Sequence, residues 1–299
     1  MTDATLIPAP QAGEIAEVSR PWALIGRAFL TNKIALLGVI LVVLVIGFCF
    51  IGPLVYHTNQ VQPNIVQLNQ PPSASHPLGT DYVGFDVLGR LMVGGQSSLE
   101  IGLAVAVIAT SFGVVWGAIS GYFGGALDSI MMRVVDIVLA IPALFIFIYL
   151  ATVFRPTVVL LIVVVSALSW VGPARLIRGE TLSLRVREYV QAVRVMGGSS
   201  TRMIFRHLVP NTISTIVVNA TFQVADAVLI LATLSFLGFG LPPPAATWGG
   251  MLTNGTNYLY DGYWWEIYPA GLIIVVTVVA FNFVGDGLRD ALEVRLQRR

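Results

Sequence analysis

Six long apolar runs divide the chain, and polar stretches of unequal length separate them. Each run holds about 20 residues with few charges, the length an α-helix needs to cross a hydrocarbon core. They predict membrane-spanning helices over residues 34–56, 98–120, 130–154, 157–177, 212–236 and 265–284. Pro142 and Pro173 predict kinks in the third and fourth spans. Ahead of the first run, residues 1–19 are small and polar, with Pro8 and Pro10, a composition that predicts disorder. Arg20 to Leu30 suits a short interfacial helix with Trp22 at headgroup level, or equally a plain tether. The first apolar run begins after Lys33 and is too long for a signal-peptide core, so it reads as an uncleaved anchor.

One polar stretch stands out between the fourth and fifth runs. Arg175 to Asn211 carries seven arginines: Arg175, Arg178, Arg185, Arg187, Arg194, Arg202 and Arg206. Within it Val186, Tyr189, Val190, Val193 and Met196 recur at helical spacing, which predicts an amphipathic helix from Leu184 to Met196. Gly197 and Gly198 follow, as glycines do after a last helical turn. Ser199 or Ser200 can cap a second helix that runs into Pro210.

Composition fixes the solvent. Hydrophobic residues make up 56% of the chain and charged residues 11%, against about 25% charged in a soluble domain. Mean hydropathy is +0.81. So little charge cannot cover a water-facing surface, and the chain reads as an all-α integral membrane protein. A net charge of +1 leaves no nucleic-acid footprint. Cys49, the sole cysteine, forms no intramolecular disulfide. The basic residues then set the orientation. With the N-terminus in the cytoplasm, 15 of the 17 Lys and Arg lie on the cytoplasmic side or its edge, and Arg90 and Arg155 fall outside. The positive-inside rule therefore predicts both termini and the arginine-rich loop in the cytoplasm. His57 to Ser97 and Gly240 to Trp264 become the larger external regions. In the second of these, and just past it, Trp248, Tyr258, Tyr260, Tyr263, Trp264 and Trp265 suit an aromatic belt.

Patterns for covalent chemistry are missing from the sequence. The single lysine, Lys33, lies outside any Gly-x4-Gly-Lys-Ser/Thr phosphate loop, and His57, His76 and His207 lie in separate loops with no HExxH pattern. No Gly-x-Ser-x-Gly elbow occurs. No catalytic residue and no metal ligand is predicted. The fifth span does carry a polar stripe: Thr212, Thr215, Asn219, Gln223 and Asp226 share one helical face. An ionised Asp226 facing lipid would cost about 2.5 kcal/mol or more, so it should face protein or water. The stripe suits two roles, lining a translocation path or bonding helices within the bundle. Arg133 and Asp136, three residues apart, can pair at the edge of the third span. Asn282 and Asp286 suit the fixing of the end of the last span.

Four stretches carry a family resemblance. Glu188-Tyr-Val-Gln-Ala192-Val-Arg-Val-Met-Gly197, followed by Leu208-Val-Pro210-Asn211, resembles the EAA loop of bacterial ABC importer permeases. The stretch from His76 to Arg90, with Gly79, Asp81, Gly84 and Asp86, resembles the HPLGTD signature of the second permease subunit of dipeptide, oligopeptide and nickel importers. Phe85 stands where that signature usually has arginine. The same aspartates and glycines also suit turn chemistry and helix capping. The segment before the last span and the Phe281 to Leu292 terminus are similar to the same family, so the resemblance spans about Arg20 to Arg295.

The resemblance implies the six-helix type I ABC importer permease fold. It divides the chain into a cytoplasmic tail (1–33), a first transmembrane helix (34–56) and an extracytoplasmic loop (57–97). A five-helix core (98–290) follows, with a coupling loop at 178–211 and an extracytoplasmic loop at 237–264, then a C-terminal tail (291–299). It implies a bacterial inner-membrane importer subunit for peptides, with nickel chelates or haem as alternative cargo. Implied partners are a second permease, two ATPase subunits that hold ATP and Mg²⁺, and an external solute-binding protein. Arg187, Glu188, Gln191, Ala192, Met196 and Gly197 would form the ATPase-coupling surface. Thr215, Asn219, Gln223 and Asp226 would line the path. A proton- or sodium-driven secondary transporter is the rival reading, with Asp226 as its ionisable group.

Overall fold

A computed structural model describes residues 21–297, and the backbone there is helical apart from loops and one isolated bridge between Thr80 and Asp86. The expected disordered tail, Arg20, Arg298 and Arg299 lie outside the described residues. Among the described residues, five helices, or six counting one sharply bent pair, are long and apolar enough to cross a membrane.

The chain opens with α1 (Pro21–Thr31) and α2 (Lys33–Phe50), so the interfacial stretch is a helix rather than a tether. Asn32 separates the two: its Oδ1 accepts from the amides of Ile34 and Ala35 at 3.1 and 3.2 Å and caps α2. A short helix, α3 (Gly52–Val55), precedes a long loop, and α4 (Val87–Phe123) then runs for 37 residues. It begins eleven residues ahead of the expected boundary. Asp86 caps it there, with Oδ1 accepting from the Gly89 amide at 2.8 Å. The first turns contain Gly89, Arg90, Gly94, Gly95 and Gln96, which lower hydropathy although Gly89, Arg90, Gly94 and Gly95 are buried.

The third span is broken outright. α5 (Gly125–Ala140) and α6 (Ala143–Val153) meet at 72° around Ile141 and Pro142. Proline removes a backbone donor and pushes the preceding residue to extended geometry, and Ile141 sits at φ −96°, ψ 122°. Pro173 has no such effect. It lies in the first turn of α8 (Val171–Leu184), which continues α7 (Val158–Ser169) as one span. A missing N–H costs little in a first turn.

The arginine-rich stretch folds as α9 (Glu188–Val195), a single turn α10 (Ser200–Arg202), and a π and 3₁₀ continuation through Pro210 into α11 (Ile213–Leu234). Ser199 supplies the cap, its Oγ accepting from the Arg202 amide at 3.4 Å. After α11 come α12 (Trp248–Thr256) and the long α13 (Tyr268–Gln297). Asn282 and Asp286 therefore lie inside a helix and not at its end.

α4 is the spine, packed by α2, α5, α7, α8, α11 and α12. Its closest approach is to α8, along Gly113, Gly117 and Gly121. A Cβ at Gly113 would sit 2.6 Å from the Trp170 carbonyl oxygen, and one at Gly121 2.8 Å from that of Arg178. Small residues every fourth position let two backbones touch where lipid supplies no hydrophobic drive. Trp248 and Trp265 leave the expected aromatic belt and join the core: Trp248 is fully buried and donates Nε1–H to the Leu91 carbonyl at 2.9 Å. Tyr260 and Trp264 stay exposed. Large apolar side chains such as Val43, Leu44, Val159 and Leu272 face outward, the pattern a bilayer accepts and water does not.

Candidate functional site

Three features bear on function: the surface of α9, a set of cavities along α11, and a charged cavity at the opposite end of the bundle.

Arg185 to Arg187 break the expected helix, so α9 starts at Glu188, with Glu188 in its first turn and Arg194 in its last. Both charges complement the helix dipole. The end is a Schellman motif. The Gly198 amide donates to Val193 O at 3.0 Å and the Gly197 amide to Arg194 O at 3.1 Å, with Gly197 at φ +82°. Val190 alone is buried among the five apolar positions; it joins Val114 and Ala118 of α4, Ile177 of α8, and Met203, Ile204 and Leu208 in one buried cluster. Val193 packs partly, while Val186, Tyr189 and Met196 are exposed. The apolar face is thus only half covered by this chain. Arg187, Glu188, Gln191, Ala192, Met196 and Gly197 are all exposed, and Val195 beside them is 88% exposed.

The polar stripe on α11 divides. Thr215 donates to Glu180 Oε1 of α8 at 3.1 Å, and Gln223 donates to the Ser169 carbonyl at 2.9 Å. These two are cross-links within the bundle. Thr212 is buried and bonds its own turn at Val209 O. Asn219 has no partner for Oδ1 among the described residues, and with Thr215 it lines a cavity of ≈ 390 Å³ between α8, α11 and α13. Gln223 and Asp226 line a second cavity of ≈ 560 Å³, walled by Phe147 of α6 and Gly172 of α8. Asp226 is exposed and makes no hydrogen bond or ion pair among the described residues. The four residues are therefore shared between two cavities along one helix face.

A third cavity, of ≈ 470 Å³, lies at the far end between the start of α4, the end of α11 and α12. Its loop is built by the two aspartates singled out from sequence. Asp81 Oδ1 accepts from the amides of Val83 and Phe85 at 3.0 and 2.8 Å. Asp86 Oδ2 takes Tyr56 Oη and faces His76 Nδ1, both at 2.9 Å. Burial pushes the Asp81 carboxyl above the ordinary carboxylate range, against those amides and Arg90, which pull it down. Arg90, expected in a loop, is buried in α4. It donates to the Pro244 carbonyl at 2.8 Å and lies 4.2 Å from the centroid of Phe85, the residue at which the signature departs.

Two ion pairs tie α5 to α8. Asp128 meets Arg178 in a fork with both bonds at 2.5 Å and also accepts from Ser120 of α4. Asp136 meets Arg175 at 2.6 Å. The expected pairing of Asp136 with Arg133 does not form; the partner on the neighbouring helix reaches it instead. Arg185 donates to the carbonyls of Gly121 and Tyr122 at the end of α4. Sequence pattern alone does not single out Asp128 or Glu266. Each is a carboxylate at the edge of an apolar run, and that placement was the available signal.

Residues 113–298 match the family described as "Binding-protein-dependent transport system inner membrane component", and residues 20–72 match the "N-terminal TM domain of oligopeptide transport permease C". The chain is similar to the "Oligopeptide transport system permease protein OppC" of Bacillus subtilis (strain 168), at 38% identity over 97% of this chain and 96% of that protein. It is 37% identical to the "Dipeptide transport system permease protein DppC" of the same organism, over 91% of this chain and 85% of the relative. The OppC of Escherichia coli (strain K12) is 38% identical over 91% of this chain and 90% of its own. The chain, with its membrane-spanning helices and its exposed α9, belongs to the family of inner membrane components of binding-protein-dependent transport systems.

Proposed function

We propose that this chain is one of two permease subunits of an ATP-driven importer whose cargo is short peptides. The observation that carries the reading is α9: a short helix seated by the buried Val190 and the partly covered Val193, with the rest of its surface exposed. An ATPase subunit docked on Arg187, Glu188, Gln191, Ala192, Met196 and Gly197 would move α9 and α8 together. α8 reaches back to Gly172 at the cavity that Gln223 and Asp226 line. Closure of the ATPases on ATP and Mg²⁺ would thus reshape the path between the two permeases. The chain itself holds no nucleotide. A solute-binding protein would deliver cargo at the opposite end, and hydrolysis would reset the cycle. The relatives are oligopeptide and dipeptide permeases, which favours peptide cargo; nickel chelates and haem are the competing cargoes.

The test is uptake by the reconstituted complex in liposomes. Labelled peptide should accumulate only with ATP inside the ATPase-facing compartment and should ignore proton and sodium ionophores. Accumulation abolished by an ionophore and indifferent to ATP would overturn the reading in favour of an ion-driven carrier. Asp226→Asn should lower the uptake rate at unchanged assembly; full uptake in that variant removes Asp226 from the path.

A further inference from the structure

The charged cavity at the end away from α9 has a role in neither coupling nor helix packing. Its wall includes Asp81, Arg90 and Glu266, two carboxyl groups and one guanidinium. Glu266 is only 4% exposed, and its Oε1 has no hydrogen-bond partner among the described residues. Burying a carboxylate oxygen without a partner is costly, and such atoms in native structures call for an explanation. Arg90 does not provide one. Its Nη1 is committed to Pro244 O, its plane lies on Phe85, and its Nε stands 3.9 Å from Asp81 Oδ2, beyond a hydrogen bond. Asp81 Oδ1 is saturated by two amides, which leaves Oδ2 as an acceptor on the same wall.

We propose that this cavity is a binding site for an organic ammonium group, held by the carboxylates of Glu266 and Asp81. An ammonium presents three donors to acceptors and suits a site of two carboxylates with the Asn254 amide also lining the wall. A hard divalent cation wants six or more oxygens, and no group of three or more metal-ligating side chains occurs among the described residues. The volume, ≈ 470 Å³, is in the range of small-molecule sites and exceeds what one ion needs. The ammonium can belong to the N-terminus of a peptide or to a free amine. Only the first source rests on the peptide reading above; the site itself rests on the cavity.

The complete importer complex in nanodiscs, without its solute-binding protein, is titrated with ethylammonium chloride, with Ala-Ala and with N-acetyl-Ala-Ala. Thermal unfolding is the readout, at ionic strength matched with NaCl. Ethylammonium should raise the unfolding temperature above the NaCl control. Glu266→Gln should raise the half-maximal concentration at least tenfold, and Glu266→Asp, which keeps the charge, should recover part of it. Ala-Ala binding that N-acetylation abolishes identifies a peptide terminus as the source; binding of ethylammonium alone identifies free amines. An ethylammonium response equal to NaCl, or one unchanged in Glu266→Gln that still elutes as an intact complex, overturns the proposal. Peptide uptake is measured separately, so loss of cargo transport with intact ethylammonium binding refutes the peptide reading and spares the site.

Discussion

Gly197 allows the proposed coupling surface to be tested apart from the fold. It sits at φ +82°, and a Cβ built on it meets nothing within 4 Å in this chain. A side chain there therefore brings two separable effects. One is backbone strain, about 1–2 kcal/mol for a non-glycine residue in the left-handed region. Alanine and aspartate share that strain, and aspartate tolerates the region somewhat better. The second is whatever the side chain meets in a partner. An aspartate pressed into a docked ATPase brings an unpaired charge into an interface, worth about 2 kcal/mol or more, or roughly a 30-fold loss of affinity.

Gly197→Ala and Gly197→Asp should thus unfold at similar temperatures, slightly below the parent. They should differ sharply in ATPase association, read by co-purification and by titration of labelled ATPase onto the permease pair in nanodiscs. Uptake should follow association: reduced in the alanine variant and abolished in the aspartate variant. Equal association in the two would refute the argument, because the space around Gly197 would then be empty in the assembled importer as well. A much lower unfolding temperature for aspartate alone would also refute it, by making the defect one of folding.

Gly117→Val should lower the unfolding temperature and the yield, since its Cβ would lie 2.8 Å from the Arg178 amide nitrogen of α8 and overpacking of this kind costs about 1–3 kcal/mol. Gly172→Ala, with nothing within 4 Å, is the control and should leave both unchanged. Asp128→Asn should lose about 1.5 kcal/mol, the lower end for charge-assisted bonds because the Arg178 side chain is 33% exposed. Arg178→Lys should show a similar drop in unfolding temperature, as a lysine cannot make the two-pronged contact.

Hydropathy along the chain carried the spans well, because a bilayer imposes one length and one polarity on every helix that crosses it. It carried the boundaries poorly where a helix continues into protein instead of lipid. The first three turns of α4 are the clear case. Gly94 and Gly95 read as loop residues, yet they are the close-packed face of a helix, with the Trp248 ring 2.7 Å from where a Cβ on Gly95 would stand. The same holds for Arg90, a charge that hydropathy places in water and that the fold buries between Phe85 and the Pro244 carbonyl. A glycine or arginine scores as polar whether it faces water or a backbone, so a sum over residues cannot separate the two.

Pairing between helices was the other thing the sequence withheld, and the charged residues of α5 show why. Arg133 and Asp136 satisfy the spacing rule for neighbours on one helix, but that rule states only that two side chains can meet. The bundle decides whether something better is in reach. α8 runs beside α5 and offers Arg178 to Asp128 and Arg175 to Asp136, so two carboxylates on one helix meet two guanidiniums on the next. A pair across helices fixes one element against another, which a pair within a helix cannot do. The exposed surface of α9, with Arg187, Glu188, Gln191, Ala192, Met196 and Gly197, was legible for the opposite reason. Their arrangement depends on one helix, one glycine stop and one buried valine, all local. The α11 stripe falls between these cases: its helical face could be read from spacing, while the bonds that Thr215 and Gln223 make to neighbouring helices, and the cavities that all four residues line, depend on where α8 ends up. Local chemistry therefore predicts which residues share a surface, and only the packing of α4, α8 and α11 decides which of them that surface leaves for a ligand.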